Sequence, residues 1–188
     1  MEAFLISTGI VALAEMGDKT QLLSLVLAAR FRKPWPIVWG IFVATLANHA
    51  LAGAVGSWVQ AQLGPQLLRW VLGASFIAMA VWMLIPDKLD DGDTPSSASH
   101  LGVFGTTLVA FFLAEMGDKT QIATVALAAQ YKQWAAVVAG TTLGMMLANA
   151  PVVWFGDRLV KKVPIRVVHL VSAAIFAILG VVALLGWG

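Results

Sequence analysis

Apolar residues in this chain come in long runs. Six stretches are mostly apolar over about 20 residues or more, at roughly 3–29, 35–58, 66–86, 101–129, 134–156 and 165–187. That is the length an α-helix needs to cross a bilayer. The pattern predicts an all-α integral membrane protein of six transmembrane helices. Between the third and fourth stretches lies the only clear linker, Asp87-Lys88-Leu89-Asp90-Asp91-Gly92-Asp93 followed by Thr94-Pro95-Ser96-Ser97-Ala98-Ser99. It is polar, turn-rich and too short to be a domain. The expected organisation is a three-helix unit over 1–86, an acidic linker over 87–100 and a second three-helix unit over 101–188.

The two units are copies. Residues 13–21 and 113–121 both read LAEMGDKTQ, nine identical positions at a spacing of 100. Leu27-Ala28-Ala29 recurs as Leu127-Ala128-Ala129, and Leu46-Ala47-Asn48 recurs as Leu147-Ala148-Asn149, the last pair offset by 101. This is an internal repeat of one supersecondary unit. Because each copy has an odd number of spans, the second enters the membrane from the opposite side, and the repeats are expected to be inverted. Basic loop residues set the orientation. One side collects Arg30, Arg32, Lys33, Lys88, Arg158, Lys161, Lys162 and Arg166, and the other only Arg69 and Lys132. The basic side is assigned to the cytoplasm, with the linker, and both termini to the opposite face of a bacterial inner membrane. The start, Met1-Glu2-Ala3, lacks the positive flank of a cleavable signal, so the first run is read as a retained span.

Composition sharpens this picture in three places. The chain is 60% hydrophobic and 12% charged, too apolar for a soluble core of this length. A net charge of +2 gives no electrostatic case for nucleic acid as a partner. The absence of cysteine excludes disulfides, thiolate metal sites and cysteine nucleophiles.

The charges that remain inside the apolar runs carry the chemistry. Glu15, Asp18 and Lys19, with Glu115, Asp118 and Lys119, sit near the middle of stretches of about 27 residues. That is longer than a straight crossing requires, which predicts tilt or a helix interrupted near Gly17 and Gly117. Facing lipid, six ionisable groups would cost on the order of 15–20 kcal/mol, so they are expected to face inward. On a continuous helix Glu15 and Asp18 share a face, as do Glu115 and Asp118. An inverted two-fold would bring the faces together as four carboxylates. These cannot all ionise in low dielectric without cations. Lys19 and Lys119 can offset two charges, or brace the motif instead. The remaining deficit of two matches one divalent cation or two protons. Carboxylate, hydroxyl and amide oxygens suit Mg, Ca or Mn, and Thr20, Thr120, Gln21, Gln121, Asn48 and Asn149 could add oxygens. A thioether from Met16 or Met116 would favour Mn over Ca, with apolar packing the other role open to both.

With these residues in place, the chain resembles the Gdt-type family of cation/proton exchangers. The resemblance rests on the duplicated E-x-G-D-K-T motif, opening each of two three-helix halves around an acidic loop, and covers essentially the whole chain. It implies manganese and calcium transport in exchange for protons, with the motif acids at Glu15, Asp18, Glu115 and Asp118. The short bacterial members imply manganese export. The expected partners are therefore a divalent metal cation, protons and the lipid bilayer, with no resident cofactor; a homo-oligomer is left open. Calcium exchange is the main alternative, and a passive channel ranks lower. An enzyme is not expected: no serine–histidine pair or HExxH occurs, and no phosphate loop for an ATP-driven pump.

Other residues receive blander readings. His49 is either a proton relay or a hydrogen-bonded histidine, and His100 and His169 lie near span ends and are assigned no role. The linker acids Asp87, Asp90, Asp91 and Asp93 read as a solvated loop. Trp35, Trp39, Trp58, Trp70, Trp134 and Trp187 fit an aromatic belt. Gly40, Gly53, Gly73, Gly140 and Gly144 are expected to permit close helix packing.

Overall fold

The computed structural model describes residues 1–85, 101–156 and 164–186. The acidic linker, Lys88, His100, Arg158, Lys161, Lys162 and Trp187 lie outside the described residues. Eight helices and no strand occur among those described: α1 (Glu2–Glu15), α2 (Lys19–Phe31), α3 (Pro34–Gln62), α4 (Pro65–Trp82), α5 (Gly102–Glu115), α6 (Lys119–Tyr131), α7 (Trp134–Phe155) and α8 (Ile165–Leu185). Four of them, α3, α4, α7 and α8, are individually long and apolar enough to cross a membrane. The first and fourth expected spans are each two shorter helices, because the chain breaks after Glu15 and after Glu115.

The repeat is visible in the backbone as well as in the sequence. Arg32 ends α2 and Lys132 ends α6, both left-handed, at φ 51° and 52°. Pro34 and Trp134 then open the long helices α3 and α7. Packing repeats too. α1 lies along α7 as α5 lies along α3, and α2 meets α7 as α6 meets α3. α3 also packs on α7 and α4 on α8, so exchanging the halves maps each of these contacts onto another or onto itself.

Small residues make the close approaches possible. A Cβ on Gly40 would strike Thr107 and the Phe104 carbonyl, and one on Gly140 would strike Ser7 and the Phe4 carbonyl. These are matching positions in the two halves. With hydrocarbon on the outside, no hydrophobic drive holds helices together, so such backbone-level packing supplies the adhesion. At the α4–α8 interface Phe76 and Phe176 stack with centroids 6.3 Å apart, again a matching pair. Trp35, Trp39, Trp58, Trp70 and Trp134 all project outward.

Two of the principal contacts have no exchanged counterpart of similar extent among the described residues. α8 touches α1, and α4 touches α6. The core is therefore two-fold in plan but lopsided in detail.

Candidate cation site

The local sequence explains the breaks. Gly17 and Gly117 take φ of +85° and +76°, a region that glycine enters without steric cost. The helix that should continue from Glu15 turns there instead, and a new helix starts with Asp18 or Asp118 as its N-cap residue. Each new helix is anchored backward. The Gly17 N–H donates to Gln21 Oε1 at 2.9 Å, and the Gly117 N–H to Gln121 Oε1 at 2.7 Å. It differs by one residue from the reciprocal half of a capping box: the glutamine in the first turn accepts from the residue before the N-cap, not from the N-cap itself. Glu15 and Asp18 do not share one helix face, as expected from an unbroken helix; they flank a break, and so do Glu115 and Asp118.

The breaks bring the acids together. All four are buried. Glu15, Glu115 and Asp118 each offer a carboxylate oxygen, and these oxygens lie within 4.8 Å of one another. Asp18 stands outside that trio. Each lysine crosses to the other repeat: Lys19 Nζ is 3.4 Å from Asp118, and Lys119 Nζ is 3.9 Å from Asp18. Lys119 also donates to the Ile85 carbonyl at 3.3 Å. Of the two lysine roles left open by the sequence, bracing between repeats describes this geometry.

Each glutamate is held by one oxygen. Thr20 donates to Glu15 Oε2, and Thr120 to Glu115 Oε2 at 2.9 Å. The other oxygen, Oε1, is buried in both and accepts no hydrogen bond from the described residues. A buried acceptor left unmade costs about 1–3 kcal/mol, and more when charged. Two such oxygens beside a third carboxylate form an arrangement that a bound cation, metal or proton, would satisfy.

The supporting residues expected from the sequence divide. Thr20 and Thr120 reach the glutamates. Gln21 and Gln121 turn their oxygens to the backbone of the breaks. Their amide nitrogens donate to the Ala148 carbonyl at 3.0 Å and to Asn48 Oδ1 at 3.4 Å. Asn149 donates to Glu15 Oε2 at 3.3 Å and accepts from Ser24 Oγ at 2.9 Å. Asn48 instead donates to the Phe112 carbonyl near the end of α5, at 3.0 Å. Met116 is 57% exposed and so points away from the buried acids; Met16 is half-buried.

Two residues near the site were not anticipated. The Met145 thioether lies 2.9 Å from Asn149 Nδ2, directly behind the amide that contacts Glu15. His169, on α8, donates from Nε2 to the Met16 carbonyl at 3.2 Å. It thereby covers the first break, where Ile165 also lies against Gly17. No repeated partner marks either residue in the sequence. His49 is wholly buried, and neither ring nitrogen finds a partner among the described residues.

Broken helices carrying buried acids, in two packed copies, define a class: membrane transporters for cations. The profile of the family described as "Divalent cation/proton antiporter GDT1" matches residues 3–91 and 103–187, and the chain belongs to that family. It is 53% identical over 182 residues, 95% of this chain and 88% of the relative, to a Vibrio cholerae protein named "Putative manganese exporter". It is 24% identical over 202 residues to a GDT1-like protein of Synechocystis, covering 97% of each. It is 23% identical over 231 residues to the "Divalent cation/proton antiporter GDT1" of Saccharomyces cerevisiae, covering 95% of this chain and 81% of the yeast protein. No solved structure matches.

Proposed function

We propose that the protein exports Mn2+ from the cytoplasm in exchange for protons, at one site shared by the two motif copies. The observation that carries this is the trio of Glu15, Glu115 and Asp118, whose oxygens converge within 4.8 Å while Glu15 Oε1 and Glu115 Oε1 are buried and find no hydrogen-bond donor among the described residues. Metal and protons compete for the same oxygens, so binding one releases the other. Oxygen donors without cysteine or histidine in the trio favour a hard divalent ion. The choice of manganese and of export is supported by the Vibrio cholerae relative's name. Ca2+/H+ exchange at the same oxygens is the second reading, favoured by the all-oxygen donor set.

The site would sit at the midplane of six spans arranged as two inverted repeats, in the inner membrane, with both termini on the non-cytoplasmic side. The exchange of contacts between halves supports that arrangement. Alternating access would rock one repeat against the other. The unequal cover of the two breaks supports this: among the described residues α8 lies against Gly17, while a Cβ on Gly117 would meet nothing within 4 Å.

Proteoliposomes with an imposed pH gradient test the reading. Mn2+ should move against the proton flow, with Ca2+ as a weaker competitor. Flux of Ca2+ but not Mn2+ would replace the cargo, and flux of either metal indifferent to the gradient would overturn the exchange.

A further inference from the structure

A second built site lies away from the carboxylates, where the end of α3, the start of α4 and the ends of α6 and α8 meet. A cavity of about 340 Å³ opens there. Two basic residues, Arg69 and Lys132, and three glutamines, Gln60, Gln66 and Gln130, line it. Among the described residues, no acidic one lines it. The Arg69 Nε is buried and has no hydrogen-bond partner among the described residues. Its guanidinium rests 5.7 Å from the ring centroid of Trp70, a contact that helps to orient the fork. The backbone adds to the positive field, because α4 begins at Pro65 on this wall with no side chain capping its N-terminus.

The depth of the cavity in the membrane says what it meets. Trp58, Trp70 and Trp134 surround this end of the bundle and project outward, at the level where an aromatic belt meets lipid headgroups. Leu63, Leu68 and Leu72 add apolar lining. Cations and amides beside apolar side chains match a phosphodiester with its acyl chain. We infer that this cavity binds the phosphate headgroup of an anionic membrane phospholipid, seated between Arg69 and Lys132. Arg69 presents the planar fork suited to two phosphate oxygens, and Lys132 supplies a second charge from the corner after α6. A lipid bound there would bridge α3, α4, α6 and α8, and so tie the two halves together at one end.

Native mass spectrometry of the full-length protein, delipidated in detergent, tests this with three probes: phosphatidylglycerol, phosphatidylcholine and inorganic phosphate. The wild type should retain one phosphatidylglycerol in preference to phosphatidylcholine. The double substitution Arg69→Gln, Lys132→Gln should weaken that retention by about 30-fold and leave phosphatidylcholine unchanged. Either single substitution should give an intermediate loss, which keeps the test open should the double variant extract poorly. Equal retention of the two lipids by the wild type would overturn the proposal without any variant. Inorganic phosphate at millimolar concentration displacing the lipid completely would overturn the lipid as the source and leave a free-anion site.

Discussion

The nine residues around Glu15 and the nine around Glu115 are identical, yet the fold does not treat them alike. Their local structures agree closely: the same break, the same left-handed glycine, the same glutamine reaching back and the same threonine on the glutamate. They part company where other helices arrive. Glu15 receives a second donor, Asn149, backed by Ser24 and Met145. The corresponding Asn48 is spent on the Phe112 carbonyl and Gln121. The first break is covered by Ile165 and His169, while among the described residues a Cβ on Gly117 would meet nothing within 4 Å. Asp118 joins the trio and Asp18 does not. A sequence repeat thus sets what each copy is, and the tertiary neighbours set what it does at a given moment. In a transporter such inequality is the expected condition of any single access state.

Substitutions in matched pairs can break or sharpen that comparison. The largest effect belongs to the glutamates. Glu15→Gln and Glu115→Gln should each abolish metal flux to the same degree, because both carboxylates contribute to one trio. A variant that transports normally would separate the copies. Next come the asparagines. Asn149→Ala removes a partner that orients Glu15 and should weaken metal binding about 10–100-fold. Asn48→Ala should cost stability more than affinity, at about 1 kcal/mol for a lost interhelical hydrogen bond. Titration with Mn2+ and thermal unfolding of the two variants distinguish these outcomes.

The glycines follow. Gly17→Ala and Gly117→Ala both force a left-handed residue, at about 1–2 kcal/mol each. Only Gly17→Ala also drives a methyl group into Ile165, so its melting temperature should fall further. The smallest effect is that of the cover. Because the chain has no cysteine, Met16→Cys can be labelled alone with a membrane-impermeant maleimide. Losing the His169 hydrogen bond, worth about 1 kcal/mol, should raise the labelling rate about fivefold in a His169→Ala background. No change would remove α8 as the cover of the first break.

Much of this was legible in the chain because it was local or duplicated. The break near Gly17 followed from a run too long for one crossing, with a glycine at its centre. The inward gathering of the acids followed from the cost of exposing them to lipid. The pairing of Glu15 and Asp18 on one face was misjudged for the same local reason: that argument needs a continuous helix, and Gly17 ends it. Gln21 and Gln121 read as spare oxygen donors because a glutamine that reaches back over a helix start is recognisable only once that start is known. The roles of Asn149, Met145 and His169 were not legible. They depend on where α7 and α8 meet the motif, and no spacing within the chain encodes that meeting. The same holds for the basic cavity, since Arg69 on α4 and Lys132 at the corner after α6 belong to different halves and meet at one cavity only through the fold.

The central claim is that two motif copies build one cation site. The most direct test is the number of Mn2+ ions bound per chain at saturation by the purified protein and by Glu15→Gln and Glu115→Gln. One ion in the wild type and none in either variant is the predicted result. Two ions in the wild type, with one surviving in each variant, would contradict it and give each repeat a site of its own.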